Sequence, residues 1–194
     1  MKFHWKFLSL KSALLCAALS SLIYAGCTQY DYSSPLPGVI EVRLKTISNN
    51  IPFDPLNNYV IKVSQINAVR SDGAQIVIFE DLKAIQRTTN VYNTLDVRAR
   101  DSALIIGQTY VPPGEYIGIL VAVEPAASVI RDGYRIIPVE LPSPPGQVLG
   151  FPSHYDVRED QVTRIKLAIN LDSTLVQRAN SYQFRPYYYV SGIE

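Results

Sequence analysis

The chain is 194 residues long, 47% hydrophobic and 18% charged, with 18 Lys and Arg against 17 Asp and Glu, the profile of one ordinary globular domain. The first 27 residues distort these totals, because they hold Lys2, Lys6, Lys11, the only Met, the only Trp, His4 and both cysteines. Without the three leader lysines, 15 basic residues face 17 acidic ones, and His154 is the single histidine; this excludes disulfide frameworks, Cys/His zinc sites and a reader of phosphate backbones, so no nucleic-acid partner is expected.

Residues 1–26 have the layout of a signal peptide: a basic start, then the uncharged run SALLCAALSSLIYA from Ser12 to Ala25, then Gly26. The run is shorter than the ~20 apolar residues of a spanning helix and leads into a hydrophilic, turn-rich segment. Ile23-Tyr24-Ala25-Gly26-Cys27 resembles a bacterial lipobox, with Tyr24 where Leu is usual. The resemblance implies that Cys27 receives a thioether-linked diacylglycerol and becomes the new N-terminus. The alternative is an incidental thiol in a conventionally secreted protein. Acyl chains add ~0.8 kcal/mol of membrane affinity per buried CH₂, so several on one residue hold a domain firmly. Thr28 follows the cysteine where enteric inner-membrane lipoproteins carry Asp, so the expected location is the outer membrane, with membrane lipid as the partner of Cys27.

Residues 27–37 are then the lipidated cysteine and a short tether, which reaches at most ~35 Å at ~3.5 Å per residue. Residues 38–194 form the domain. Its first run, Gly38 to Thr46, alternates Ile40, Val42 and Leu44 against Glu41, Arg43 and Lys45, which predicts a strand with one wet face. After a loop through Ser48-Asn49-Asn50 and Pro52 to Pro55, Tyr59, Ile61 and Val63 repeat the period. Ser71-Asp72-Gly73 turns the chain so that Gln75 to Phe79 pairs back as a hairpin. Glu80 to Thr89 is compatible with one short helix. Pro112-Pro113-Gly114 precedes Tyr116 to Val123, where Ile117, Ile119, Val121 and Val123 share one face and Gly118, Leu120 and Ala122 the other, the mark of a central strand. Arg131-Asp132-Gly133 is a further turn, and Tyr134 to Val139 runs into a proline-rich corner from Leu141 to Gly146. Val162 to Ile169 sets Ile165, Leu167 and Ile169 against Arg164 and Lys166, and Tyr182 to Val190 is the last strand. The expected fold is all-β: an antiparallel β-sandwich of seven to nine strands, transthyretin-like or immunoglobulin-like, with at most one short helix besides the signal segment.

The pieces VPPGEYIGILVAVE, PVELPSPPG, VTRIKLAINLD with Ser173, and SYQFRPYYYV resemble, in their order and spacing, a family of uncharacterised bacterial lipoproteins. That family has a P-x-G-x-Y turn entering a central strand, a V-P-S corner, a D-x-S strand end and a terminal Y-x-[FL]-x-P strand. Here Glu140 and Leu141 stand inserted after Val139 in the corner. The resemblance implies a transthyretin-like or prealbumin-like sandwich and carries no biochemical activity.

Chemistry is sparse. Ser153-His154-Tyr155-Asp156 invites a triad, but neighbours on an extended chain alternate faces, so Ser153 and His154 are expected to point apart, with His154 a loop residue. The acidic residues from Asp54 to Asp172 include no D-x-D-x-D calcium spacing and no phosphate loop accompanies them, so neither metal nor cofactor is assigned; a cation held by several loops and a hydrolytic carboxylate pair are the alternatives left open. No catalytic residue is assigned and the chain is read as a non-enzyme. The aromatic residues say more. On the last strand, Tyr182, Phe184, Pro186, Tyr188 and Val190 face the core, whereas Arg185, Tyr187 and Tyr189 form an exposed stacking patch for a glycan or protein partner. Cross-strand pairing that stiffens an edge is the plainer explanation of the same residues. The expected role is binding or structural; the alternative is a surface-fibre or adhesin subunit completed by a neighbour's strand.

Overall fold

The computed structural model describes residues 34–80, 91–101, 103–144 and 146–194. Cys27, the leader and most of the segment expected to form a short helix after Glu80 lie outside them. In chain order the elements are β1 (Gly38–Ile47), β2 (Val60–Arg70), β3 (Gln75–Glu80), β4 (Val91–Asn93), α1 (Val97–Asp101), β5 (Leu104–Val111), β6 (Gly114–Pro125), β7 (Ser128–Arg131), β8 (Arg135–Glu140), β9 (Gln147–Val157), β10 (Val162–Asn170), α2 (Leu171–Thr174), β11 (Leu175–Gln177), β12 (Tyr182–Phe184) and β13 (Tyr188–Ile193).

Two large sheets carry the core. The first has the order β13-β10-β1-β5; the second has the order β3-β2-β6-β9, with β4 also paired to β2. Leu44, Ile106 and Leu167 of the first sheet and Ile61, Val121 and Phe151 of the second line one apolar gap of about 10 Å³, which places the inner faces against each other. A gap of that size with no polar lining stays dry. The period-two alternation explains this packing, since Ile40, Val42, Ile61, Ile165, Leu167 and Ile169 are all within 1% of complete burial. The all-β sandwich is therefore the fold, but among the described residues it is built from thirteen strands where seven to nine were expected, and it carries two short helices where at most one was.

Its details go further than the alternation predicts. The first sheet is mixed: β1 runs parallel to β10, from Val39 opposite Val162 to Ile47 opposite Asn170, and antiparallel to β5. Side chains on the outer face of this sheet cover one another in part. Glu41 is only 7% exposed, accepting from Arg43 Nε at 2.6 Å with Arg164 Nε of the adjacent strand at 3.4 Å. On β6, Ile117 is pushed off the expected face by a bulge between Tyr116 and Gly118, and Tyr116 takes the buried place beside Ile119, Val121 and Val123. A Cβ on Gly118 would stand 2.9 Å from the Phe151 carbonyl oxygen, so the bulge closes only on glycine. The expected terminal strand divides into β12 and β13, with Pro186 exposed between them.

Five strands, β4, β5, β7, β9 and β11, are not marked by the alternation, and the long ones among them are β5 and β9. β5 shows burial only at Ile106 and Val111, and β9 contains Gly150 and Pro152; both are terminal strands of their sheets, where proline and polar residues are tolerated. The third sheet is small, with the order β11-β12-β8-β7, and β12 runs parallel to β8. It is tied to the segment that leads into β2 by paired hydrogen bonds between Asn58 and Ile130, and by buried Asn57, whose side-chain oxygen accepts from the Asp132 amide at 2.9 Å.

Candidate functional site

The small sheet and α2 bring together the polar side chains that the large sheets exclude. The β7–β8 hairpin turns through Asp132 and Gly133, both at positive φ (55° and 78°), a turn of the I′ kind that Asp-Gly favours. The register then sets Arg131 directly opposite Arg135. On the other edge of β8, β12 pairs only with Val139 and Glu140, because the chain turns between β11 and β12, with the Arg178 amide bonded to the Ser181 carbonyl at 2.8 Å. The first half of β8 is thus left without a neighbour on that side. The vacancy is a cavity of about 210 Å³ framed by Arg131, Arg135, Ile136, Arg178, Asn180 and Tyr182, among others, with no acidic residue in its wall.

A second cavity of about 130 Å³ adjoins it, sharing Arg131, Gln177 and Tyr182 and adding Asn50 and Asp172. Asp172 is committed elsewhere, accepting from Ser48 Oγ at 2.9 Å and from the Asn49 and Asn50 amides at 2.7 and 3.1 Å. The helix that holds it begins at Asn170, whose side chain caps the Ser173 amide. Arg131 carries a buried Nε with no hydrogen-bond partner, and among the described residues neither Arg131 nor Arg135 has an ion pair. A buried guanidinium nitrogen left unpaired costs free energy, which makes this arginine the least satisfied cation of the region.

Arg185, Tyr187 and Tyr189 all lie on the surface, at the end of β12 and the start of β13. Tyr187 and Tyr189 are 54% and 39% exposed and meet edge to face, ring centres 6.2 Å apart. Arg185 is bonded to Gln183 Oε1 at 3.1 Å, the same oxygen that Arg178 reaches, so its guanidinium is oriented beside the arginine cluster. Tyr187 is fixed through its backbone, with its amide donating to Thr174 Oγ1 and its carbonyl accepting from the Asn170 amide at 3.2 Å. Between the two exposed rings, Tyr188 turns inward beside Phe151, and burial pushes its phenol well above the ordinary value.

Arg131, Arg135 and Arg178 were not singled out by pattern, since they are distant in sequence and meet only in the fold. A signal was present in Arg131-Asp132-Gly133-Tyr134-Arg135, because a tight hairpin there must set its two arginines across from each other. His154 lies on β9, not in a loop, and is exposed, with Nδ1 3.8 Å from Glu115 Oε1. Among the described residues no three His, Cys, Asp or Glu side chains gather in a way that would hold a metal, and no helix is long and apolar enough to cross a membrane. No family model, no curated protein and no solved structure matches the chain.

Proposed function

We propose that the chain is a lipid-anchored cell-envelope lipoprotein with a non-catalytic binding role, moored at the outer membrane through Cys27 and contacting its partner with the end of the sandwich formed by α2, β12 and the start of β13. The leader layout and the lipobox resemblance support the anchor, and the resemblance to uncharacterised lipoproteins of transthyretin-like fold agrees with it. The observation that carries the binding role is the pair Tyr187 and Tyr189, two exposed rings in edge-to-face contact, the first held through its amide by Thr174 of α2 and the second on β13 where it pairs with β10. Rings fixed in this way offer broad contact area at small entropic cost. The partner is a glycan or another envelope protein.

Two measurements test this. Intact mass of the native protein should show loss of residues 1–26 and an acyl-bearing Cys27; an unmodified thiol, or a retained leader, overturns the anchor. Glycan-array screening of the Tyr187→Ala/Tyr189→Ala chain beside wild type should show loss of the wild-type signals, and identical profiles remove the tyrosine patch.

A further inference from the structure

We infer that the cavity between Arg131, Arg135 and Arg178 is a binding site for a phosphoryl group, carried by a small molecule or by a lipid headgroup. The inference goes beyond the binding reading, which stands on the tyrosine pair, and adds a separate site with its own ligand class. Three arginines line one cavity whose wall holds no acidic residue, and among the described residues neither Arg131 nor Arg135 has an ion pair. Arg131 Nε is buried without a hydrogen-bond partner, so this side chain's charge is poorly satisfied by the protein, and an anion held beside the guanidinium stabilises it.

The donors are prepared in different ways. Arg131 and Arg135 are set opposite each other by the β7–β8 register, and Arg178 is oriented by its bond to Gln183. The backbone adds a fourth donor. The Val139 amide bonds to Ala127 on the β7 side, so alternation along β8 turns the Ile136 amide the other way, toward the edge that β12 leaves unpaired. Of the oxyanions, the phosphoryl group suits this arrangement best. It presents three acceptor oxygens and ~2 negative charges to three forked cations, whereas a carboxylate offers two oxygens and one charge. At about 210 Å³ the cavity is smaller than the ~300 Å³ lower bound for drug-sized ligands, and so suits a headgroup-sized ligand.

The test uses the full-length chain in a zwitterionic detergent at physiological ionic strength, titrated calorimetrically with inorganic phosphate and, separately, with short-chain phosphatidic acid and short-chain phosphatidylcholine. Inorganic phosphate should bind saturably with Kd on the order of 1 mM or tighter. The Arg131→Met/Arg135→Met chain should bind at least ~10-fold more weakly, whereas Arg158→Met, at the β9–β10 turn outside the cavity, should bind as wild type. Should the double variant fail to fold, Arg178→Met replaces it, with the same weakening expected. Phosphatidic acid binding much more tightly than inorganic phosphate assigns the lipid source; equal affinities assign the free phosphoryl group. Absence of saturable binding to both, equal binding of phosphatidylcholine, or binding that survives the arginine variants overturns the site. Because the tyrosine screen reads a separate surface, a silent cavity beside an active Tyr187/Tyr189 patch overturns this inference and leaves the binding reading standing.

Discussion

The two large sheets and the small one solve opposite problems with the same kind of strand. In the large sheets, long strands bury one face against the other, and almost every inward position is aliphatic or aromatic. In the small sheet, strands of three to six residues bury Val129, Val139, Tyr182 and Phe184 on one side and leave arginines, amides and an unpaired strand edge on the other. The contrast teaches that both kinds of sheet feed one apolar core, while the other side of the small sheet and its unpaired edge hold polar groups in place.

The sharpest way to break that contrast is to delete apolar volume in each region. Ile165→Ala, at a fully buried site of β10, should cost ~2–5 kcal/mol in chemical denaturation, whereas Ile136→Ala on β8, 69% exposed, should stay within ~0.5 kcal/mol. Equal losses would show that the outer face of β8 is covered in solution. Next in size is Gly38→Ala. The added Cβ would lie 2.5 Å from the Arg158 carbonyl oxygen and collide with Val157, so a loss of ~1–3 kcal/mol is expected from the shift it forces at the start of β1; a wild-type melting temperature would show that the β9–β10 turn yields freely.

A third prediction concerns polar groups inside the sandwich itself. Tyr59 and Tyr188 have buried hydroxyls without partners, and desolvation raises both phenols above the ordinary value of 10.0, with Tyr188 adding to the shift of Tyr59. Above pH 10 the unfolded chain releases these protons while the folded chain keeps them. Stability is therefore full below that pH and falls as pH rises toward the folded values. Tyr59→Phe/Tyr188→Phe should match or exceed wild type by up to ~1 kcal/mol at neutral pH and flatten the alkaline decline, read by denaturation at a series of pH values. An unchanged alkaline slope would locate the titrating groups elsewhere. The smallest effect is expected at the cavity: Arg131→Met should leave stability within ~0.5 kcal/mol, measured at low salt where repulsion among the arginines is strongest. A loss of several kcal/mol would make Arg131 a structural residue and erase the division between the regions.

The sandwich could be read from the sequence wherever burial on one face imposes period two. Ile40, Val42 and Leu44 mark β1, Tyr59, Ile61 and Val63 lead into β2, and Ile165, Leu167 and Ile169 mark β10. The pattern fades where that constraint relaxes. β5 and β9 are terminal strands, so Gly107, Gly150 and Pro152 interrupt their pattern without breaking their pairing. Ile117 departs from its expected face because a bulge adds one residue and flips the side chains next to it, an event that alternation cannot announce. Although only Tyr189 of the two is on a strand, the two exposed tyrosines were visible because they lie two residues apart in one aromatic run. The arginine cavity was not, because its walls are separated by more than forty residues and its shape comes from the point at which β12 stops pairing.

The parallel pairing of β1 with β10 also dictates when this protein can fold. Val39 meets Val162, a partner 123 positions later, whereas the β2–β3 hairpin closes over a few residues. A chain delivered from its N-terminus can therefore zip that hairpin early but must hold its first strand half-paired until β10 has emerged. Such distant closure slows folding, and it makes completion of the sandwich one of the last events, triggered by arrival of the C-terminal quarter.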